Sequence, residues 1–232
     1  MRILHPSSPE QAQQWQAASD PPAMFVGAAT AMQLGWSSDD SASRVLIDVS
    51  RLPALQGITL LEGAHAHPVD PVTRANPAIG EPHVLRIGAA CALEQVRQDA
   101  RVREHAPLLA KACDTVGSMA LRHRATLGGN LGWRQGDCVP ALFALDAQAE
   151  LADGSLINLG ELLDQARLPL VVALHLPVDA TSTSRWGFVE KIGWRAAFSP
   201  SRLVVALTAE RHDGRYRAVR VAISAAGLPA RG

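Results

Sequence analysis

The sequence is poor in aromatic side chains and in cysteine. Its 232 residues include five Trp, four Phe and one Tyr, so we do not expect an enzyme that shapes a substrate pocket from its own rings. The three cysteines, Cys91, Cys113 and Cys138, are widely separated and form no CxxC pair. An odd number at such spacings excludes a disulfide framework and predicts buried free thiols.

Neither sign of charge is in excess. Lys and Arg number 22, Asp and Glu number 22, and the formal net charge is zero, which argues against a nucleic-acid or polybasic membrane-binding role. No segment approaches the ~18 apolar residues that a spanning helix needs, and the N-terminus lacks the apolar region of a signal peptide. We therefore expect a cytoplasmic globular protein with no nucleic-acid or membrane partner.

Short apolar runs separated by turn signals predict strands that alternate with short helices. Strands are expected at 24–26, 45–49, 58–61, 84–87 and 149–151, and helices near 93–96, 108–116 and 139–144. The pairs Asp153-Gly154 and Asp213-Gly214 predict hairpins. The runs 186–192, 202–209 and 217–223 predict an antiparallel sheet.

A long stretch from 63 to 82 is rich in Pro and His and predicts a functional loop or an insertion. His65, His67 and Asp70 within it could be drawn as a metal site. The loop offers no defined ligand geometry, so we predict solvated side chains and no metal site.

The segment 121–131 carries the most chemical information. Gly128 and Gly129 lack Cβ atoms, so a ligand can approach the main chain closely and the amides can face an anion. Thr126 and Asn130 flank them with short polar groups suited to phosphate or ribose. The same Gly-Gly-Asn segment is also typical of a plain tight turn. Arg122, just before it, could aid phosphate binding, be exposed, or contact another subunit.

The run R-H-R-A-T-L-G-G-N-L over 122–131, followed by Asp137 and by P-A-L-F-A-L-D-A over 140–147, resembles the FAD-binding medium subunit of the molybdenum hydroxylases. This is the xanthine dehydrogenase and carbon monoxide dehydrogenase family. Weaker matches follow in the family's order at 46–49, 52–55, 86–89 and 190–195.

The resemblance implies an α+β protein of two domains. Residues 1–178 would form a two-lobed FAD-binding fold of the vanillyl-alcohol-oxidase (PCMH) type, with lobes of about 1–55 and 56–178. Residues 179–232 would form a short C-terminal α+β subdomain. It looks truncated, because relatives continue past the sheet into further helices.

The resemblance also implies which residues hold the cofactor. The FAD pyrophosphate would lie between two loops, largely on main-chain amides. Carried over by position, the first loop consists of Phe25, Val26, Gly27, Ala28, Ala29, Thr30, Ala31 and Met32, and the second contributes Thr126, Gly128, Gly129 and Asn130. Asp137 would hydrogen-bond the ribose or adenine side of FAD, and Lys191 would approach the flavin. No catalytic acid, base or nucleophile is required in this chain, since the cofactor supplies the chemistry.

The first loop differs from the family's pattern, and two tryptophans leave alternative roles open. The family's first loop usually reads A-G-G-T-[DS]-L, whereas Ala28 and Ala29 stand at the two glycine positions here. If either needs a positive φ, its Cβ costs roughly 1 kcal/mol or more. Trp133 and Trp194 could cover a flavin ring, but hydrophobic packing is the expected role.

The function that the resemblance implies is an oxidoreductase subunit that carries FAD. Electrons would come from an iron-sulfur subunit, substrate would be oxidised on a molybdopterin subunit, and FAD would pass the electrons to an external acceptor. The alternatives are a non-catalytic interaction subunit with the same fold and a degenerate flavin site, and a stand-alone flavin oxidase.

Overall fold

The computed structural model describes residues 1–20, 23–32, 44–62, 83–178, 185–195, 199–212 and 214–232. His65, His67 and Asp70 lie outside the described residues, as does the loop that contains them. In the described ranges no helix combines the length and the apolar character needed to cross a membrane.

The first sheet is small and parallel. Its strands are β1 (Arg2–Leu4), β2 (Met24–Val26) and β3 (Val45–Asp48), in the order β1-β3-β2. Helix α1 (Pro9–Ala18) lies between β1 and β2 in sequence. It begins at Ser8, whose Oγ accepts a hydrogen bond from the Gln11 amide at 3.2 Å, and Pro9 fills its first position, which are both signals that start helices.

The second sheet is antiparallel, with the strand order β4-β5-β8-β6-β7. Its strands are β4 (Ile58–Leu61), β5 (His83–Gly88), β6 (Gln148–Leu151), β7 (Leu156–Asn158) and β8 (Val171–Val178). The predicted Asp153-Gly154 turn joins β6 to β7, and Gly154 has a φ of +81°. That prediction is therefore confirmed.

Short helices lie between β5 and β8 in sequence, and most of them share a buried hydrophobic cluster with the second sheet. They are α2 (Leu93–Gln98), α3 (Ala100–His105), α4 (Pro107–Asp114), α5 (Met119–Arg122), α6 (Leu127–Gly132), α7 (Val139–Ala144) and α8 (Leu159–Asp164). Leu85 and Leu174 of the sheet and Leu109 and Leu142 of the helices belong to one buried hydrophobic cluster. A smaller cluster, which includes Ala12 and Ile47, joins α1 and the first sheet to residues near 170.

All three cysteines lie in the larger hydrophobic cluster. Each is buried and free, which confirms the prediction of free thiols. The Sγ atoms of Cys113 and Cys138 are 3.7 Å apart. The contact with Cys113 and burial raise the pKa of the Cys138 thiol, so this thiol stays protonated.

The third sheet is antiparallel, as predicted, with the order β12-β11-β10-β9. Its strands are β9 (Arg185–Gly193), β10 (Ser201–His212), β11 (Arg215–Ala225) and β12 (Leu228–Arg231). The inward face, with Val189, Val204 and Ala206, joins the larger hydrophobic cluster. The outward face exposes large apolar side chains, namely Trp186, Phe188, Ile192, Val221 and Ile223. This sheet therefore has one buried and one open face.

A buried ion-pair network holds the segment before α6. Glu94 is 1 % exposed; its carboxylate accepts hydrogen bonds from Arg97 Nη2 at 2.5 Å and from Arg122 Nε at 2.8 Å. These bonds lower the pKa of Glu94 to about 2. Arg122 also donates to the carbonyls of Val116 and Gly117 at 3.3 Å. The Arg122 side chain is thus buried and hydrogen-bonded within the chain, where it stabilises the fold.

Candidate cofactor-binding site

A cavity of about 420 Å³ lies where the two predicted loops meet. Its volume falls in the range of roughly 300–1,000 Å³ that is typical of small-molecule sites. The described lining residues include 23–32, 126, 128, 129, 131–134 and 166–171. The structure therefore brings the whole first loop together with Thr126, Gly128 and Gly129.

The two loops touch at Gly27 and Thr126. A Cβ placed on Gly27 would lie 2.7 Å from Thr126 Oγ1 and 3.1 Å from Thr126 Cγ2. No real Cβ approaches a neighbour to 2.7 Å, so only glycine fits at this position without a shift of Thr126. The close packing fixes the position of the first loop relative to α6.

Gly128 and Gly129 do not form a tight turn but lie inside helix α6. Thr126 is the N-cap, and its Oγ1 accepts a hydrogen bond from the Gly129 amide at 3.1 Å. The Leu127 amide donates to the Cys91 carbonyl at 3.0 Å and the Gly128 amide to the Ala89 carbonyl at 2.7 Å. A Cβ on Gly128 would come within 2.8 Å of Ala89 Cβ. The amides at this end of α6 are therefore already hydrogen-bonded within the chain.

The free amides of the cavity wall belong to the first loop instead. Within the described part of the chain, the backbone amides of Gly27, Ala28 and Ala29 make no hydrogen bond. Ala29 has a φ of +54°, in the left-handed region. Consecutive amides around such a residue form a concave group that binds anions. This wall of the cavity is suited to a phosphate.

The expected strain at the first loop is found at Ala29 and not at Ala28. Ala29 is among the non-glycine residues with positive φ, and Ala28 is not. A residue with a Cβ pays about 1–2 kcal/mol in this conformation. The alanine at position 29 therefore reduces stability, whereas Ala28 adopts its conformation without this cost.

The cavity carries positive charge in a chain whose formal net charge is zero. Among the described residues that line it, the charged ones are Arg134 and Arg167, and none is Asp or Glu. Arg134 donates hydrogen bonds to the Leu163 carbonyl and, at 2.5 Å, to the Gln165 carbonyl. Arg167 donates to the Gln16 carbonyl. Both arginines are therefore fixed, and the field in the cavity favours an anion.

Asp137 and Lys191 lie together but are not among the residues that line the cavity. Lys191 Nζ is 2.5 Å from Asp137 Oδ2 and donates to the Thr115 carbonyl at 3.0 Å. Ser201 Oγ donates to Asp137 Oδ1 at 2.7 Å. These buried contacts tie β9 and β10 to the segment that precedes α7.

Asn130 also has a partner within the chain. Its Oδ1 accepts a hydrogen bond from the Cys138 amide at 3.1 Å, and Asn130 is not among the described lining residues. The contact links α6 to the start of α7. Asn130 thus organises the segment between the two helices.

Several lining residues were missed by sequence reasoning. Arg134, Arg167 and the segment 166–171 belong to no motif that the sequence displays. Trp133 was expected to pack, yet it lines the cavity and is 41 % exposed. The sequence does contain one signal for Trp133 and Arg134: they directly follow the glycine segment, which was itself predicted to contact the ligand.

Comparison with known proteins finds a family to which part of the chain is similar. Residues 78–178 match the family model described as the FAD binding domain in molybdopterin dehydrogenase. This match covers less than half of the chain, and over that range the chain is similar to this family. The similarity agrees with the resemblance that the sequence indicated.

Two curated proteins illustrate the extent of the similarity. The chain is 26 % identical over 136 residues to the xanthine dehydrogenase FAD-binding subunit of Escherichia coli O157:H7, covering 58 % of this chain and 40 % of that protein. It is 37 % identical over 73 residues to the nicotinate dehydrogenase FAD-subunit of Eubacterium barkeri, covering 31 % of this chain and 25 % of that one. The matched region thus spans two fifths or less of these relatives.

Solved structures share the fold over nearly the whole chain. A chain of carbon monoxide dehydrogenase from Hydrogenophaga pseudoflava superposes with a TM-score of 0.79 at 18 % identity, covering 99 % of this chain and 76 % of that one. Quinoline 2-oxidoreductase from Pseudomonas putida 86 gives a TM-score of 0.74 at 18 % identity, with 99 % and 75 % covered. The mixed helix-and-strand arrangement of this chain is therefore the one found in these solved structures.

Proposed function

We propose that the chain binds FAD in the cavity between the first loop and α6. The observation that carries the proposal is the row of unpaired amides at Gly27, Ala28 and Ala29, three residues that line a cavity whose described lining residues include two arginines and no carboxylate. A diphosphate needs hydrogen-bond donors and no negative neighbours. The residues present fit this group.

Thr126 takes part from the other wall. Its Oγ1 accepts a hydrogen bond from the Gly129 amide, and its hydroxyl proton can still be donated to a phosphate oxygen, since a hydroxyl both accepts and donates. Gly128 and Gly129 act by letting α6 pack closely on Ala89 and Thr126. The direct contacts to FAD expected for Asn130, Asp137 and Lys191 stay predictions.

The wider role is proposed from the similarity to FAD-binding subunits. We propose an electron-transfer subunit of a heteromeric molybdenum hydroxylase, with an iron-sulfur subunit and a molybdopterin subunit as partners and an external electron acceptor. Bound FAD would supply the redox chemistry, while the chain binds it, orients it and excludes water. The cytoplasmic location expected from the sequence stays a prediction.

The domain organisation is part of the proposal. The first sheet with the smaller hydrophobic cluster and the second sheet with the larger one are consistent with a PCMH-type fold of two lobes over 1–178. The third sheet corresponds to the subdomain over 179–232. The cavity is lined by residues from both of the proposed lobes.

Titration of the purified chain with FAD tests the proposal, with flavin fluorescence as the readout. The wild type should bind FAD, and Gly129→Asp should abolish binding because it places a carboxylate on the cavity wall. Gly160→Asp is the matched control: Gly160 also lies in a short helix, has open space around it and is not among the described lining residues. A wild-type chain that folds but binds no FAD would overturn the proposal.

A second candidate function is supported by the strained Ala29. A chain with the same fold and a degenerate flavin site could serve as a non-catalytic interaction subunit. Ala29→Gly separates the two candidates. A large gain in FAD affinity favours the degenerate site, whereas tight binding by the wild type favours the electron-transfer subunit.

A further inference from the structure

The C-terminal end of α6 presents an indole ring on the cavity wall. Trp133 is the C-cap residue of α6 and lines the cavity, and it is 41 % exposed. Burying a tryptophan removes roughly 150–250 Å² from water. The exposed part of the Trp133 ring therefore gains stability when a ligand covers it.

The backbone around Trp133 is held in a strained conformation. The Trp133 amide donates to the Gly129 carbonyl at 3.1 Å, and Arg134 follows with a φ of +60°. The Arg134 amide donates to the Leu131 carbonyl at 2.8 Å, and its guanidinium is anchored by the carbonyls that follow α8. Non-glycine residues stay in this region only where their surroundings over-determine them. The backbone that carries the indole is thus held in place by hydrogen bonds within the chain.

Positive charge lines the same cavity as Trp133. Arg134 and Arg167 line the cavity, and within the described part of the chain neither has a carboxylate partner in an ion pair. An aromatic face and guanidinium groups that line one cavity can together recognise a planar ring that is attached to a phosphate. An apolar ligand would leave the positive charges of both arginines without a negative partner.

We infer that Trp133, with Arg134 and Arg167, forms the subsite for one aromatic ring of the bound dinucleotide, and that Trp133 stacks on this ring. The inference rests on the proposed FAD site. Helix α6 rises about 1.5 Å per residue, so Trp133 lies roughly 10 Å along the helix axis from Thr126. A ligand whose phosphates sit on the first loop can therefore reach it with its ring.

The test compares Trp133→Ala and Trp133→Phe with Trp194→Ala. Trp194 is the matched control because it is 65 % exposed, lies under the Arg202 guanidinium at 4.7 Å and is not among the described cavity-lining residues. Trp133→Ala should weaken FAD binding by about fivefold or more, the low end for loss of a base stacked on an aromatic ring. Trp133→Phe should keep most of the affinity, and Trp194→Ala all of it.

A spectroscopic readout separates stacking from a structural effect. FAD should quench a part of the tryptophan emission that is lost in Trp133→Phe and kept in Trp194→Ala. Competition by ADP and by FMN identifies which ring of FAD stacks on Trp133. Trp133→Ala should weaken the binding of ADP if the adenine stacks, and the binding of FMN if the flavin ring stacks. Wild-type FAD affinity in Trp133→Ala would overturn the inference and leave the proposed function intact. A wild-type chain without FAD affinity would overturn both.

Discussion

Gly27 packs directly against Thr126, the N-cap residue of α6, and leaves no room for a methyl group between them. We expect Gly27→Ala to push the Thr126 side chain away, weaken the cap and displace the first loop. Loss of such a cap costs about 0.5–2 kcal/mol. The free energy of unfolding in urea should fall by an amount of that order.

A double-mutant cycle checks that this effect comes from the contact itself. In a Thr126→Ala background the Oγ1 and Cγ2 atoms are gone, so Gly27→Ala should cost less than in the wild type. Coupled neighbours show interaction energies of roughly 0.5–3 kcal/mol. Strict additivity of the two substitutions would contradict the contact.

The two alanines of the first loop should respond to glycine with opposite signs. Ala29 has a φ of +54°, so Ala29→Gly relieves left-handed strain and should stabilise the chain by about 1 kcal/mol. Ala28→Gly, the control, only increases the freedom of the unfolded chain and should destabilise it by about 0.4–1 kcal/mol. The unfolding temperatures of both variants test this prediction. Equal changes of the unfolding temperature in the two variants would contradict the strain at position 29.

The Glu94 network predicts a loss of stability in acid. Hydrogen bonds from Arg97 and Arg122 lower the pKa of Glu94 to about 2, against about 4.3 in an unfolded chain. A lowered pKa stabilises the fold above the unfolded value, and the contribution, roughly 3 kcal/mol, is lost as the pH falls from about 4.3 to about 2. Glu94→Gln should lower stability at neutral pH and flatten the pH dependence in this window.

Two comparisons sharpen the acid experiment. The pKa of Glu150 is also about 2, because hydrogen bonds from His175 and Arg86 outweigh the effect of burial. Glu94→Gln should therefore keep the part of the pH dependence of the unfolding free energy that Glu150 contributes. The exposed Glu161 gives a control, because Glu161→Gln should leave the curve of unfolding free energy against pH nearly unchanged. A Glu94→Gln variant with the full wild-type slope would show that the network does not titrate as described.

The Asp137 and Lys191 pair should be far more sensitive than an exposed pair. Asp137→Asn leaves the Lys191 ammonium, whose side chain is 13 % exposed, without its carboxylate, and the loss of one partner of a largely buried pair typically costs about 3–5 kcal/mol. Asp164→Asn breaks an ion pair with Arg231 whose two side chains are about 60 % exposed, where about 0–1 kcal/mol is expected. Equal unfolding midpoints for the two variants would contradict the buried role.

Much of the fold could be predicted from local pattern. The apolar runs at β2, β3, β4 and β5 stop at polar or glycine-rich segments, and the third sheet follows from alternating runs joined by a predicted turn. Strand β8 was missed because a nearly continuous apolar run does not show the period of two that distinguishes a strand. Helix α6 was missed because two adjacent glycines disfavour a helix, and only the Thr126 cap and the packing on Ala89 offset this cost.

The candidate site could be predicted in part. The first loop and the segment around Thr126 meet at the cavity, as the resemblance implied. The pairing of Asp137 with Lys191 joins residues that are 54 positions apart, and such a contact depends on how the third sheet packs rather than on any local motif. Arg167 and the segment around it reach the cavity for the same tertiary reason.

The reactivity of the three buried thiols reports on local opening of the structure. Because Cys91, Cys113 and Cys138 are all enclosed in the larger hydrophobic cluster, an alkylating reagent reaches them only when that cluster opens. The rate of labelling therefore measures the free energy of opening, as amide exchange does for the backbone. Cys113 on α4 and Cys138 beside α7 should become reactive together, since one opening event separates their sulfur atoms.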